Sequence, residues 1–303
     1  MPSLKEIKSR IGSVKSTKKI TSAMKMVASA KLRKSQKRIE SFLPYQHKLD
    51  EILKSFLGAS PDFASNLAEE RDVKRVAIVA LSSNSSLCGA FNANAFKLFK
   101  ETLARYRHLP DDAIEIYAVG KKIEGEIRKL RREFNFRGSY IPLMDEPNFA
   151  GAKQIAQSLM TDFRQHKIDK VELVYNHFKS SAVQVPTVEQ FLPVSSPKSP
   201  LNPPQGDLNS PLEGGQGGAD YIVEPDRETI LQALIPQSLQ SKVYAVVADS
   251  SAAEQAARLV AMQVATDNAE DILDELTIQF NKQRQQAITS ELLDIVGGAE
   301  AQK

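Results

Sequence analysis

The sequence holds one cysteine, no tryptophan and four histidines in 303 residues. A lone Cys88 excludes an internal disulfide and a cysteine-rich zinc site, and His47, His108, His166 and His177 show neither paired nor HExxH spacing. Long apolar runs are missing too. The longest, Val76 to Leu81, is six residues, against the roughly 20 that a membrane-spanning helix needs. Catalytic signatures are equally scarce. The small-residue stretch Ser82 to Asn92 lacks the glycine spacing of a phosphate or dinucleotide loop and reads as a tight strand-to-helix turn with serine capping. Gly120-Lys121-Lys122 lacks the upstream glycine and the hydroxyl residue of a phosphate loop, no carboxylate pair stands out, and Cys88 has no base near it in sequence. These absences favour a mechanical or binding protein over an enzyme, with no bound cofactor or metal.

What is present is an uneven distribution of charge. The first 38 residues carry twelve lysines and arginines against Glu6 alone, a local charge of +11 in a chain whose net charge is +3, which leaves −8 for the rest. Such a field calls for an acidic partner. An organelle-targeting leader is a poor match, because such leaders prefer arginine and stop before the fold begins, whereas helical periodicity here continues to about Leu57. No aromatic residue precedes Phe42 for base stacking. A basic helical nucleic-acid-binding or scaffold protein is the competing reading.

Helical periodicity dominates both ends. Ser3 with Glu6 three residues on forms a capping box, and Leu4, Ile7, Ile11 and Val14 then repeat at 3-4 spacing, with Ile20, Met24 and Val27 resuming the repeat after a phase shift near Thr17. Pro44 is placed to kink this run. At the other end, Met262, Thr266, Ala269, Leu273, Leu276, Phe280, Gln283 and Ala287 keep the same spacing. A helix over about 237–296 would be roughly 90 Å long, beyond the span of a compact domain of this size, so it must protrude. Only the N-terminal helix (residues 1–57) can cover the seam of the C-terminal one (237–301), which predicts an antiparallel coiled coil.

Between the ends, residues 73–194 read as an α/β domain. Strands are expected over Val73–Leu81, Ile114–Val119, Val171–Asn176 and Val183–Leu192, and helices over Ala90–Arg107, Lys121–Phe134 and Phe149–His166. Residues 195–219 contain five prolines and five glycines, so 195–220 is expected to be a disordered insertion, followed by a short return segment, 221–236. The fold class is therefore α/β plus a long antiparallel coiled coil, with a Rossmann-like domain at the foot of a shaft.

Three stretches carry a family resemblance. Ile20 to Arg33 (ITSAMKMVASAKLR), Ala256 to Ala269 (AARLVAMQVATDNA) and Asn281 to Ala301 (NKQRQQAITSELLDIVGGAEA) resemble the N-terminal signature and the C-terminal helix of the gamma subunit of F-type ATP synthases. The last includes that family's Ile-Thr-x-Glu-x-x-Asp/Glu-x-x-x-Gly-Ala pattern. The resemblance implies a non-catalytic rotor stalk, one copy per complex, whose shaft enters the alpha/beta catalytic head and whose foot meets epsilon and the membrane c-ring. A peripheral position on the cytoplasmic face of the bacterial inner membrane follows. By motif position, Met24 and Lys25 would sit near an acidic loop of the beta subunits, with seam packing the plain alternative for Met24. Arg258, Arg284, Gln285, Thr289 and Glu291 would lie at contacts with the head. Tyr221 and Glu224 would face the c-ring and epsilon, although Val223 stands where the family carries an aromatic. The loop at 82–92 departs further. Asn84, Ser85, Ser86 and Ala90 replace an acid, a base and two glycines of the family pattern.

Overall fold

A computed structural model describes residues 3–59, 66–130, 134–194 and 226–300. The expected insertion at 195–220 and the residues Tyr221 and Glu224 lie outside these. Helix α1 (Leu4–Ala59) starts where the capping box predicts: the Glu6 amide donates to Ser3 Oγ at 3.3 Å and the Ile7 amide to the Ser3 carbonyl at 3.0 Å. It runs through Pro44 without ending.

The middle of the chain forms β1 (Val76–Leu81), α2 (Phe91–Arg105), β2 (Ile114–Val119), α3 (Lys121–Lys129), β3 (Asn135–Ser139), α4 (Ile141–Asp145), α5 (Phe149–Arg164), β4 (Lys170–Phe178) and β5 (Gln184–Leu192). The strands make one sheet in the order β3-β2-β1-β4-β5, parallel except for the antiparallel β4–β5 hairpin. The expected strands all form. Short β3 and α4 were not anticipated, since a five-residue strand of alternating exposure carries no apolar signal beyond Phe136.

The last helix, α6 (Arg227–Glu300), has 74 residues and is about 110 Å long. It begins well before Gln237, so most of the expected return segment is helix. Asp226 caps it, accepting the Thr229 amide and hydroxyl at 2.8 Å each. Pro236 gives the helix no N–H, yet the helix passes through, because Leu231, Ile235 and Leu239 on either side of it are buried in the foot.

That burial sets the architecture. One face of the sheet (Val76, Ile78, Ala80, Ile114, Ile116) is covered by α2 and α3 through Phe99, Leu103, Ile123 and Ile127. The other face (Ala77, Val79, Leu81, Tyr117, Val119) packs on α5 and on the lower half of α6 through Val243, Val246 and Val247, with Leu49 and Leu53 of α1 in the same core. The shaft helix is thus a layer of the α/β sandwich as well as half of a coiled coil. A central domain cut free of the shaft would keep only α5 on this face and would expose the part that α6 and α1 cover.

The coiled coil is antiparallel, as shown by Lys18 against Glu270 and Thr21 against Thr266. On α6, every residue of the predicted seam from Met262 to Ala287 faces inward, buried or half-buried. On α1 the seam after Thr17 is different from the one periodicity implied. Ile20 and Val27 are 60% and 56% exposed, and the buried residues are Ala28, Leu32 and Ser35, with Thr21 and Met24 half-buried. Small side chains decide this. Leu32 packs on Ala252 and Ala256, and alanines let two helix backbones approach closely, which larger Ile20 and Val27 would prevent.

Two substitutions test these contacts. Gly120 has φ 116° and ψ 144°, and a Cβ there would lie 2.2 Å from the Ser82 carbonyl oxygen, so Gly120→Ala is expected to cost roughly 2–4 kcal/mol in denaturant unfolding. Ala256→Leu should overpack the helix crossing and cost about 1–3 kcal/mol, whereas Val264→Leu on the exposed face should change thermal stability by no more than about 0.5 kcal/mol.

Candidate functional site

Along the shaft, polar groups bridge the seam at intervals. Lys18 Nζ is 2.8 Å from Glu270 Oε1, the Thr21 and Thr266 hydroxyls are 2.9 Å apart, and Lys25 Nζ donates to Gln263 Oε1 at 2.6 Å. These contacts pin the register, which apolar packing alone leaves free to slide. Lys25 is therefore held across the seam beside half-buried Met24. Lys5, Lys8, Arg10, Lys15, Lys19, Lys31, Arg33, Lys34 and Lys37 are exposed. The excess positive charge lies on the outside of α1 in two groups, either side of exposed Ile20, Met26 and Val27, and it remains available to an acidic partner.

The same register, continued, brings Leu4 opposite Arg284. Beyond that point α6 has outrun α1. Arg284, Gln285, Thr289 and Glu291 are all exposed on this single helix, with the Thr289 hydroxyl donating to the Gln285 carbonyl at 2.9 Å. Ile288, Leu292, Leu293, Ile295 and Val296 are also exposed, Ile295 by 68%. A lone helix tip with five large apolar side chains in water marks a binding surface. The structure brings Met24 and Lys25 together on one helix and Arg284, Gln285, Thr289 and Glu291 together on the other.

Arg258 is placed differently. It is 9% exposed, and its guanidinium donates to the Ser86 carbonyl at 2.6 Å, the Ser85 hydroxyl at 2.8 Å and Glu254 Oε1 at 2.7 Å. Burial pushes the Glu254 carboxyl upward in pKa, and Arg258 pulls it back. Two further polar contacts tie α6 to the sheet, His177 Nδ1 to Asp249 Oδ2 at 2.7 Å and Lys242 Nζ to Glu189 Oε1 at 2.8 Å. Sequence reasoning missed all three, because each joins residues far apart in the chain.

The loop that Arg258 grips crosses the carboxyl ends of β1 and β2, beside the switch in strand order where open α/β sheets bind ligands. On its β2 side the loop is bonded to the start of α3. Ser82 Oγ accepts the Ile123 amide at 2.8 Å, Asn84 Oδ1 accepts the Lys121 amide at 2.9 Å, and the Ser83 carbonyl accepts the Lys122 amide at 3.1 Å. Three N–H groups at the start of α3, which would otherwise bind an anion, are thereby spent. Serine capping is present as expected, but it serves α3 rather than the α2 that follows the loop. Asn84 Nδ2 also donates to the Ile141 carbonyl at 2.9 Å. Cys88 is buried, with Ser83 and Asn92 as its polar neighbours and neither a base. Among the described residues no group of three or more His, Cys, Asp or Glu is disposed to hold a metal ion, and no helix is long and apolar enough to cross a membrane.

Comparison with known proteins agrees with this geometry. A family model described as ATP synthase matches residues 3–302. The ATP synthase gamma chain of Azobacteroides pseudotrichonymphae is 53% identical over 305 residues, covering 100% of both chains, and that of Bacteroides fragilis is 54% identical over 301 residues, covering 99% of this chain and 100% of the relative. Among solved structures, the fold is similar to a chain of the Euglena gracilis mitochondrial ATP synthase, with a TM-score of 0.64 at 18% identity over 98% of this chain and 94% of that one. A chain from the central stalk and c-ring of the Tetrahymena thermophila mitochondrial enzyme gives 0.59 at 24% identity over 81% and 99%. With a shaft, a foot built around it and full-length identity above one half, the chain belongs to the family of ATP synthase gamma chains, the central-stalk subunits of F-type ATP synthases.

Proposed function

We propose that this subunit transmits torque between an ion-driven membrane c-ring at its foot and the alpha/beta catalytic head around its shaft, one copy per complex, for ATP synthesis or hydrolysis. The observation that carries this reading is the asymmetry of α6. Its lower half is built into the foot, its middle is paired with α1, and its tip is an unpaired helix with exposed apolar side chains. Such a body is not symmetric about its long axis. A ring of similar catalytic subunits around it meets a different surface at each position, and each shaft angle stabilises one set of conformations over the others.

The chain's work is differential binding, with no bond chemistry and no bound cofactor. The basic face of α1, with Met24 and Lys25 on it, meets acidic groups of the head, and the long-range part of that attraction sets orientation and encounter rate. Arg284, Gln285, Thr289 and Glu291 supply hydrogen bonds that form at some rotation angles and break at others. The small, apolar tip from Ile295 to Ala299 turns in an apolar sleeve, where non-directional packing keeps rotational barriers low. At the foot, the segment with Tyr221 and Glu224 meets the c-ring and epsilon. In such a complex this chain would be a peripheral protein at the cytoplasmic face of the bacterial inner membrane, a reading supported by the bacterial origin of its relatives.

Co-expression with the alpha and beta subunits of its own organism, purified through a tag on beta, is expected to yield one copy per hexamer and ATP-driven rotation of the foot. Head assembly without this chain, together with salt-sensitive DNA binding, would return the basic-helix reading. Arg284→Ala combined with Gln285→Ala removes contacts worth about 1.5–3 kcal/mol for a charged hydrogen bond, and coupled ATP synthesis in membranes should fall by roughly tenfold or more. Unchanged synthesis and assembly would remove both residues from the head interface.

A further inference from the structure

The attachment of the foot to the shaft has two parts of different character. Low on α6 it is an apolar core, from Leu231 to Val247 against the sheet and α5. Higher up, the end of β4 reaches Asp249 through His177 and the Phe178 amide, and above that the loop from Ser82 to Phe91 crosses to a helix surface that is alanine. Cys88 and Phe91 pack on Ala253 and Ala257, and a Cβ at Gly89 would lie 3.9 Å from Ala261 Cβ. Gly89 has φ 56°. A smooth alanine surface allows close approach of a loop backbone, yet it offers no directional resistance to sliding, since apolar contact is non-directional.

Arg258 supplies that resistance. It emerges from the middle of the alanine patch, and its guanidinium fork spans two consecutive loop residues, the Ser85 hydroxyl and the Ser86 carbonyl. Glu254, one turn earlier on the same helix and 5% exposed, orients the fork. A planar guanidinium bonded on several sides has little freedom to swing. The loop is anchored equally firmly on its far side, through Ser82, Ser83 and Asn84 to the first turn of α3 and through Asn84 to the Ile141 carbonyl of α4. The loop, bonded at one end to Arg258 and at the other to α3, α4 and the Val119 carbonyl of β2, therefore links α6 to the sheet.

We propose that Arg258, oriented by Glu254, is a positioning residue that locks the foot to the shaft helix, so that torque enters α6 through the loop Ser82–Phe91 and not only through the apolar core below. This assigns Arg258 an intramolecular role rather than a contact with the head, and it rests on the torque-transmitting function proposed above. Without the lock, the foot twists against the shaft and ion flow is only partly converted into rotation of the head.

The test uses the whole complex in inverted membrane vesicles, measuring ions pumped per ATP hydrolysed. Arg258→Gln is expected to lower that ratio at least threefold. Arg258→Lys, which keeps a cation beside Glu254 but has no fork, should lower it by a smaller factor. Each variant is then combined with Gly89→Cys and Ala261→Cys in a Cys88→Ala background. The 3.9 Å Cβ separation is close to the roughly 3.8 Å of natural disulfides. Oxidation, checked by the mobility of the cross-linked chain, should restore the ratio to the wild-type value, and reduction should abolish the rescue. A wild-type ratio in both reduced variants would overturn the proposal. So would a loss that persists after complete cross-linking, which would put the action of Arg258 at the head. A wild-type complex that hydrolyses ATP without pumping would instead overturn the torque function itself.

Discussion

Helix α6 has to satisfy two surfaces at once, and the rest of the structure follows from that. Its lower half must bury Leu231, Ile235, Leu239, Val243 and Val247 under a β-sheet, while its middle must present Met262, Thr266, Ala269 and Leu276 to α1. A straight helix can serve both only if the foot is assembled around it. The sheet supplies one partner and α1 the other, and neither the coiled coil nor the sandwich has a complete core without α6. Foot and shaft are therefore mechanically continuous, a property that two separately folded domains joined by a linker would lack.

Small residues make this continuity possible. Ala252 and Ala256 receive Leu32 of α1, while Ala253, Ala257 and Ala261 on the adjoining face receive the loop from the sheet. Two elements converge within a few turns of one helix, and only side chains of a single carbon leave room for both. Close approach has a cost in grip, because alanine offers few atoms to interlock. Several polar contacts of α6 occur in the same region: Asp249 with His177, Arg258 with the loop, Gln263 with Lys25 and Thr266 with Thr21. Apolar burial supplies the bulk of the cohesion and the directional bonds fix the relative angle.

The loop at the carboxyl ends of the strands shows how an α/β scaffold loses a ligand site. The carboxyl ends of the parallel strands are present, as is the start of α3 beside them. Ser82, Ser83 and Asn84 consume the N–H groups of α3, Gly120 brings the backbone of one turn against another, and Arg258 covers the outside. What remains is a structural joint in the place where related architectures hold phosphates.

Much of this was legible in the sequence, and the limits of legibility are physical. The capping box at Ser3, the seam of α6 from Met262 to Ala287 and the strands at 76–81 and 114–119 are local patterns, and periodicity reports local geometry faithfully. The motifs of the two terminal segments carried the family. The charge imbalance of the first 38 residues likewise needed no coordinates. Periodicity failed where the deciding partner is remote: it set Ile20 and Val27 in the α1 seam, because large apolar residues signal burial and alanine does not, and only the approach of α6 shows that Ala28 and Ser35 fit. The sequence pattern starts the last helix only at about 237, just after Pro236, while the burial of Leu231, Ile235 and Leu239 that carries the helix through that proline depends on the sheet. Composition and local pattern thus determined by themselves that the chain is two long amphipathic helices around an α/β unit with a basic outer face. The tertiary structure decided which faces meet, that α6 is part of the foot, and that Arg258 turns inward, since each depends on groups brought together from distant parts of the chain.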